Sequence, residues 1–158
     1  WGSYLICNWI KSIQKFKSRK LKNIGCIFTG YDKGYLDYLR NLAIKEKVQD
    51  KIIFFNYLTN NELVYLYKNS FCVLFPSLIG FDSLPMYESF FFKKIILYNQ
   101  NSIDKVFNKN IIPLDINNFY DLEKKILLLK NNKIFYNKFV LNNFQFYKQK
   151  FLQLEKYY

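Results

Sequence analysis

The chain has 158 residues, 51% of them hydrophobic, with 24 Lys and Arg against 12 Asp and Glu for a net charge of +12. That length suits one ordinary domain with a full hydrophobic core, and Pro76, Pro85 and the Lys93-Lys94 pair cut the longest apolar runs short of a membrane span. Histidine is absent, which excludes Ser-His-Asp and Cys-His nucleophile systems and His-bearing zinc sites; chemistry here must come from carboxylates, lysines and backbone amides.

Helical and strand-like patterns alternate at short intervals, the signature of a parallel sheet with helices on both faces. Residues 3–19 read as a helix with Leu5, Ile6, Trp9, Ile13 and Phe16 on one stripe. "IGCIF" (24–28) is a buried strand closed by the turn "TGYDKG", and Tyr35 to Val48 is the next helix, with Leu36, Leu39 and Ala43 inward. "KIIFF" (51–55) is a second strand. "TNNE" (Thr59 to Glu62) is a capping box that opens a helix through Tyr67. "FCVLF" (71–75), a helix from Leu84 to Phe92, "IILY" (95–98) and a short strand within "NIIPL" (110–114) follow. "FYDLEKKILLLK" carries its acids early and its lysine late, as a helix dipole prefers. The four strands from "IGCIF" to "IILY" are expected side by side. Tyr136, Val140, Phe144, Tyr147, Phe151, Leu154 and Tyr158 then recur at three- and four-residue steps.

The positive charge favours anionic partners: nucleotides, nucleic acid or acidic lipid. Most of these cations are lysines scattered among Asn, Ile, Phe and Tyr, the composition of an AT-biased genome, and background is the plainer reading. No nucleic-acid-binding motif accompanies them, so no nucleic-acid partner is expected. Cys7, Cys26 and Cys72 are odd in number and widely spaced, which fits reduced, mostly buried thiols in a cytosolic protein. The chain opens on Trp1 without a signal pattern, and is expected to be a fragment lacking upstream residues.

The chemistry concentrates in "FPSLIGFDSLPMYESFFFKKIILY" (75–98). In open parallel sheets ligands sit beyond the carboxyl ends of the strands, where "TGYDKG", "NYLTNNE" and "PSLIGFDS" would meet. Pro85 suits the first turn of a helix, because its missing N–H would have lacked a partner there anyway. Amides around Leu84, Met86 and Tyr87 would face the loop, with the positive end of the helix dipole behind them, ready for a phosphate. Glu88, one turn in, can reach a sugar hydroxyl beside that phosphate. A Pro-initiated helix with a solvated glutamate and no ligand has the same pattern, so residue types alone leave both readings open.

"GFDSLPMYESF" (Gly80 to Phe90) resembles the donor-site signature of the group 1 (family 4) glycosyltransferases, and more narrowly that of a bacterial subgroup, G-P-[TD]-N-[IL]-P-P-L-E-A-F. "IFTGYDKGYLDYL" is similar to the family's strand followed by T-G-S-D-K-G-N-x-x-Y-I. "DKIIFFNYLTNNELVYLYKNSFCVLFPS" is similar to D-K-V-x-F-L-G-Y-V-x-x-E-E-L-x-x-L-Y-x-x-A, and "IPLDINNFYDLEKKI" to a later D-P-x-D-x-x-x-L segment. The likeness runs in order over most of residues 21–130. It implies the C-terminal half of a two-domain GT-B enzyme: a Rossmann-like donor domain over residues 1–132 and a helical extension over 133–158, with the acceptor domain upstream. By the same likeness Glu88 holds the ribose hydroxyls of a nucleotide-diphosphate sugar, which is the donor substrate. Leu84, Pro85 and Met86 form the diphosphate-binding helix start; Gly80, Asp82 and Ser83 belong to the loop before it. Gly30 lies where backbone passes close to the donor, Tyr57 and Leu58 lie beside the base, and Leu63 lines it.

The family is metal-independent at the donor, and no Asp-x-Asp pair occurs here. No cofactor is implied. The implied activity is retaining hexosyl transfer in cell-surface polysaccharide or lipopolysaccharide synthesis, to a glycan or lipid-linked acceptor held by the missing N-terminal domain. The implied location is the cytoplasm, with a peripheral contact at the inner membrane face. Alone, the fragment is expected to bind donor weakly and turn over nothing.

Several positions depart from the pattern. Gly80 stands at the first glutamate of the family's E-x7-E, as it does in the subgroup. Phe81 replaces a proline and Ser83 an asparagine; "KKII" (Lys93 to Ile96) replaces G-x-P-V, and "NQNSIDK" replaces a glycine-rich segment. The family's basic pair for the diphosphate would precede Trp1. These losses keep open a non-catalytic domain of the same fold that serves protein contacts. The aromatic stripe from Tyr136 to Tyr158 either seals the end of the sheet as core or docks onto protein absent from the fragment. It is wide for a small sheet's edge, and on the docking reading residues from about Phe144 onward are expected to be loosely packed without the other domain.

Overall fold

The computed structural model describes residues 2–16, 18–75, 84–99, 107 and 109–154. Elements follow in the order α1 (Gly2–Gln14), β1 (Cys26–Thr29), α2 (Leu36–Lys45), β2 (Ile52–Phe55), α3 (Asn60–Asn69), β3 (Cys72–Phe75), α4 (Leu84–Phe91), β4 (Ile95–Asn99), β5 (Ile112–Leu114), α5 (Asp121–Asn131) and α6 (Lys133–Leu154). Single 3-10 turns precede β1 and β2, at Arg19–Leu21 and Gln49–Lys51. The strands are parallel, as the alternation with helices requires. They fall into two ladders: β1 beside β2, from Cys26↔Ile52 to Thr29↔Phe55, and β3 beside β4, from Cys72↔Ile95 to Phe75↔Tyr98, with β5 next to β4. The four strands expected side by side therefore form two pairs among the described residues.

Two compact units result, Trp1–Leu63 with Leu114–Leu128 and Val64–Pro113 with Leu129–Tyr158. In the first, Trp9, Ile10 and Ile13 of α1 are buried, as are Leu39, Leu42 and Ala43 of α2, and the two helices pack together. Ser12 donates to the Asn8 carbonyl, and the Asn8 amide donates to the Ile116 carbonyl. Along the ladder of this unit covered and exposed residues alternate, with Ile52 buried, Cys26, Phe28 and Phe54 half-buried, and Ile27, Ile53 and Phe55 exposed.

In the second unit β4 is buried at every position, the mark of a strand covered on both faces. Met86, Phe90, Ile96, Tyr98, Phe107 and Ile111 form its core, and Val73, Phe75, Tyr87, Phe146 and Tyr147 pack against them. The looseness expected from Phe144 onward is not found up to Phe151. Phe146 meets the rings of Phe90 and Phe107 edge-on at 6.2 and 6.0 Å, and Phe151 meets Tyr87 at 5.8 Å. The sidewall of α4 presents faces and edges that aromatic side chains of α6 fill, and such pairs add to the burial term. Asn143, 1% exposed, accepts from the Asn110 side-chain amide and donates to the Asn110 carbonyl.

Cys7, Cys26 and Cys72 are half-buried rather than mostly buried. Burial still pushes the Cys72 thiol up to about 12.

Two helices end on lysines in the left-handed region, Lys47 (φ 56°) and Lys93 (φ 54°). The hydrogen bonds Val48 N–H to Ala43 O and Lys47 N–H to Ile44 O close α2, and Lys94 N–H to Ser89 O with Lys93 N–H to Phe90 O close α4. Both are Schellman ends, where the left-handed residue is usually glycine. The lysine at the family's glycine position thus keeps the turn at a conformational cost. Lys94, next in the chain, donates from Nζ to the Lys68 carbonyl at 2.9 Å, a cation on the last turn of α3; desolvation lowers its pKa.

Lys47→Gly is expected to stabilise the chain by about 1 kcal/mol in urea unfolding, the order of the left-handed penalty. Lys93→Gly should gain less, because Lys93 Nζ lies 4.6 Å over the Phe144 ring and the substitution forfeits a contact worth about 0.5–1 kcal/mol. A loss of stability at Lys47 would contradict the strain. Asn143→Ala should cost about 1–3 kcal/mol, since it strands the polar groups of Asn110. Gln145→Ala, on the exposed side of α6, should stay within about 0.5 kcal/mol.

Candidate functional site

The first unit holds the loops after β1 and β2. Gly30 carries the ladder one step further, its N–H donating to the Phe55 carbonyl at 3.2 Å. A φ of 146° with no atom within 4 Å of a Cβ shows that conformation, not space, calls for glycine there. Asp32 is structural: its Oδ1 accepts from the amides of Gly34, Tyr35 and Leu36 at 2.8–3.1 Å and so organises the start of α2. Its own N–H donates to Asn56 Oδ1 at 2.6 Å, which ties the two loops together. Their tips carry Tyr31 and Tyr57, 76% and 67% exposed, with ring centroids 6.0 Å apart and planes tilted by 55°.

Gly30 and Tyr57 are thereby brought to neighbouring loops. Half-buried Leu58 leads into the α3 capping box. There Glu62 accepts from the Thr59 hydroxyl and amide at 2.7 and 2.8 Å, and the Glu62 N–H donates to Thr59 Oγ1 at 3.3 Å. The Thr59 hydroxyl, with its amide second, holds the Glu62 carboxyl below the usual range. Leu63, half-buried, donates its N–H to the Thr59 carbonyl in the first turn.

The second unit, taken by itself, holds α4. Leu84 opens it 70% exposed, Pro85 follows half-buried, and Met86 turns its side chain into the core at 1% exposure. What Met86 can offer a ligand is its backbone, because the amides of a helix's first turn have no intrahelical acceptor. Glu88 lies one turn beyond Leu84, on the same side of the helix, and is half-buried. One of its oxygens is engaged: the Tyr67 hydroxyl donates to Glu88 Oε2 at 2.7 Å. Tyr67 is 9% exposed, and its ring stacks on Phe92 at 5.2 Å and 12°. Burial, and then the neighbouring Glu88 carboxylate, push the Tyr67 phenol far above its ordinary value, so it stays a donor. Gly80, Asp82 and Ser83 lie outside the described residues.

Two hollows are lined by other residues. One of about 570 Å³ is lined by Ser18, Asn118, Tyr120, Asp121, Glu123, Lys124 and Leu127. Its carboxylates serve the fold: Asp121 accepts from the Asp115 amide and Glu123 from the Ser18 amide. The other, of about 170 Å³, lies between Phe71 and the start of α6.

Sequence reasoning missed Tyr31, Asn56 and Tyr67. For Tyr67 a signal existed. In "LVYLYK" it falls four residues after Leu63, on the inward stripe, whereas Tyr65 faces out at 66% exposure. A buried tyrosine needs an acceptor, and a carboxylate in the next helix is a candidate.

Among solved structures, the chain is similar to the crystal structure of a glycosyltransferase from Rickettsia africae ESF-5, with a TM-score of 0.69 at 18% identity. The match covers 99% of this chain and 44% of that one. At that identity the likeness speaks for the fold, and this chain spans under half the length of that protein. No curated protein matches the sequence significantly. The sequence profile described as "Glycosyl transferases group 1" matches residues 6–146, nearly the whole chain. With that span matched, and with the parallel α/β fold to go with it, the chain belongs to the group 1 glycosyl transferases.

Proposed function

We propose that this chain binds the nucleotide-diphosphate sugar donor of a glycosyltransferase, with Glu88 holding ribose hydroxyls and the start of α4 facing the diphosphate. The observation that carries this reading is the setting of Glu88. It is a half-buried carboxylate one turn inside a Pro-initiated helix, with one oxygen anchored by Tyr67. Amides of Leu84 and Met86, backed by the helix dipole, suit a dianionic leaving group. Stabilising the charge that develops on the departing diphosphate is then the main contribution of these residues.

In this reading the glycosyl group passes to an acceptor with its configuration retained, and no metal is required at the donor. The acceptor, a glycan or lipid-linked saccharide, is presented by protein outside these 158 residues. The reaction belongs to bacterial cell-surface polysaccharide or lipopolysaccharide synthesis, in the cytoplasm near the membrane's inner face. Among the described residues no helix is long and apolar enough to cross a membrane. From the family resemblance alone, Gly30, Tyr57, Leu58 and Leu63 are proposed as contacts to the base.

Calorimetry with UDP-glucose, GDP-mannose and ADP-glucose tests the proposal. Glu88→Gln should weaken binding of the preferred donor by about 1–3 kcal/mol, the scale of a hydrogen bond to a charged group, with little change in melting temperature. Equal affinities of the two proteins would reject the role of Glu88. If none of the three nucleotide-sugars binds the unmodified chain, the donor reading falls and the non-catalytic alternative stands.

A further inference from the structure

We infer that Tyr67 is a positioning residue for Glu88, so that the donor-site carboxylate is aimed from α3 rather than by its own helix. The inference rests on the donor-site reading of Glu88 and deepens it.

A glutamate side chain has three rotatable bonds, and a half-buried one at a helix surface samples several rotamers unless something holds it. Here the holder is the Tyr67 hydroxyl, 2.7 Å from Oε2. The holder is itself held. Its ring is 9% exposed and stacks face to face on Phe92 at 5.2 Å, and Phe92 follows α4 directly, its N–H bonded to the Glu88 carbonyl. Tyr67, Phe92 and Glu88 thus close a small ring of contacts across the α3–α4 interface within one unit.

The chemistry suits the task. A phenol that keeps its proton donates to the carboxylate oxygen, so the contact fixes which way the Glu88 carboxylate is turned. With Oε2 occupied, Oε1 is the oxygen left to accept from a ligand hydroxyl. Fixing the acceptor before the ligand arrives lowers the ordering cost that binding would otherwise meet. Lys94, whose Nζ caps the Lys68 carbonyl next to Tyr67, anchors the end of α3 to the turn after α4 and supports the same geometry.

A double-mutant cycle on the 158-residue chain tests this, with UDP-glucose, GDP-mannose and ADP-glucose as probes and calorimetric affinity as the readout. Tyr67→Phe keeps the ring and its stacking and removes only the hydroxyl. It should weaken binding of the preferred probe about tenfold, the range of one hydrogen bond to a charged group, with the melting temperature nearly unchanged. In a Glu88→Ala background, Tyr67→Phe should cause no further loss, because the hydroxyl then has nothing to aim. A purely structural tyrosine would lower the melting temperature and weaken binding equally in both backgrounds, which would overturn the inference. If Glu88→Ala weakens binding and Tyr67→Phe alone does not, the positioning role is wrong and the donor reading survives. If Glu88→Ala leaves affinity unchanged, or no probe binds, the donor reading is wrong and the positioning role falls with it.

Discussion

Burial of β4 along its whole length is the constraint from which the second unit is built. A strand with Ile95, Ile96 and Leu97 at 0% exposure and Tyr98 at 2% must be covered on both faces, and its edges must find partners. β3 supplies one edge in register from Cys72↔Ile95 to Phe75↔Tyr98, and β5 lies at the other. Met86 and Phe90 of α4 supply core from one side chain stripe, and Phe146 and Tyr147 of α6 pack against the same cluster. With α4 committed to the core through Met86 and Phe90, its remaining sides are determined. Leu84 is left exposed, and Glu88 is set at the boundary where a phenol from α3 can reach it.

The departures from the family pattern look different once their contacts are known. Lysine at position 93 sacrifices the glycine that a left-handed helix end prefers, yet both Schellman hydrogen bonds persist. Lys93 and Lys148 lie 4.6 and 5.2 Å over the Phe144 ring, and Lys150 lies over Tyr87 and Phe107 and hydrogen-bonds the Tyr87 hydroxyl. Part of a cation surplus that reads as background composition is therefore spent on aromatic faces, where ammonium and ring attract. In α6, which carries lysines and no acids, these contacts allow a strongly aromatic helix to keep a solvated boundary.

The two groups of proposed donor contacts also differ in how they are stabilised. On the first unit the loops are stapled by backbone and short polar side chains, Asp32 to three amides and Asn56 to one. Such staples place a loop firmly while leaving Tyr31 and Tyr57 exposed at its tip. On the second unit the carboxylate is placed by side-chain packing, through the stacked pair of Tyr67 and Phe92. Backbone staples are legible in Asp, Asn and Gly at turn spacings; packing of this second kind is not.

The sequence by itself determined what depends on near neighbours along the chain. The order of strands and helices, the Thr59–Glu62 capping box, the unbroken apolar run of β4 and the Pro-initiated α4 with Glu88 one turn in all follow from periodicity and turn chemistry over a few residues. The family resemblance followed too, since it rests on spacing. Tertiary structure alone decided which strands share a ladder, that Phe146 and Phe151 pack on α4 instead of standing loose, and that Tyr67 holds Glu88 across 21 residues of sequence. Those outcomes turn on how each helix rotates about its axis against its neighbours. That rotation is set by the summed packing of many side chains, a quantity no local stretch of sequence contains.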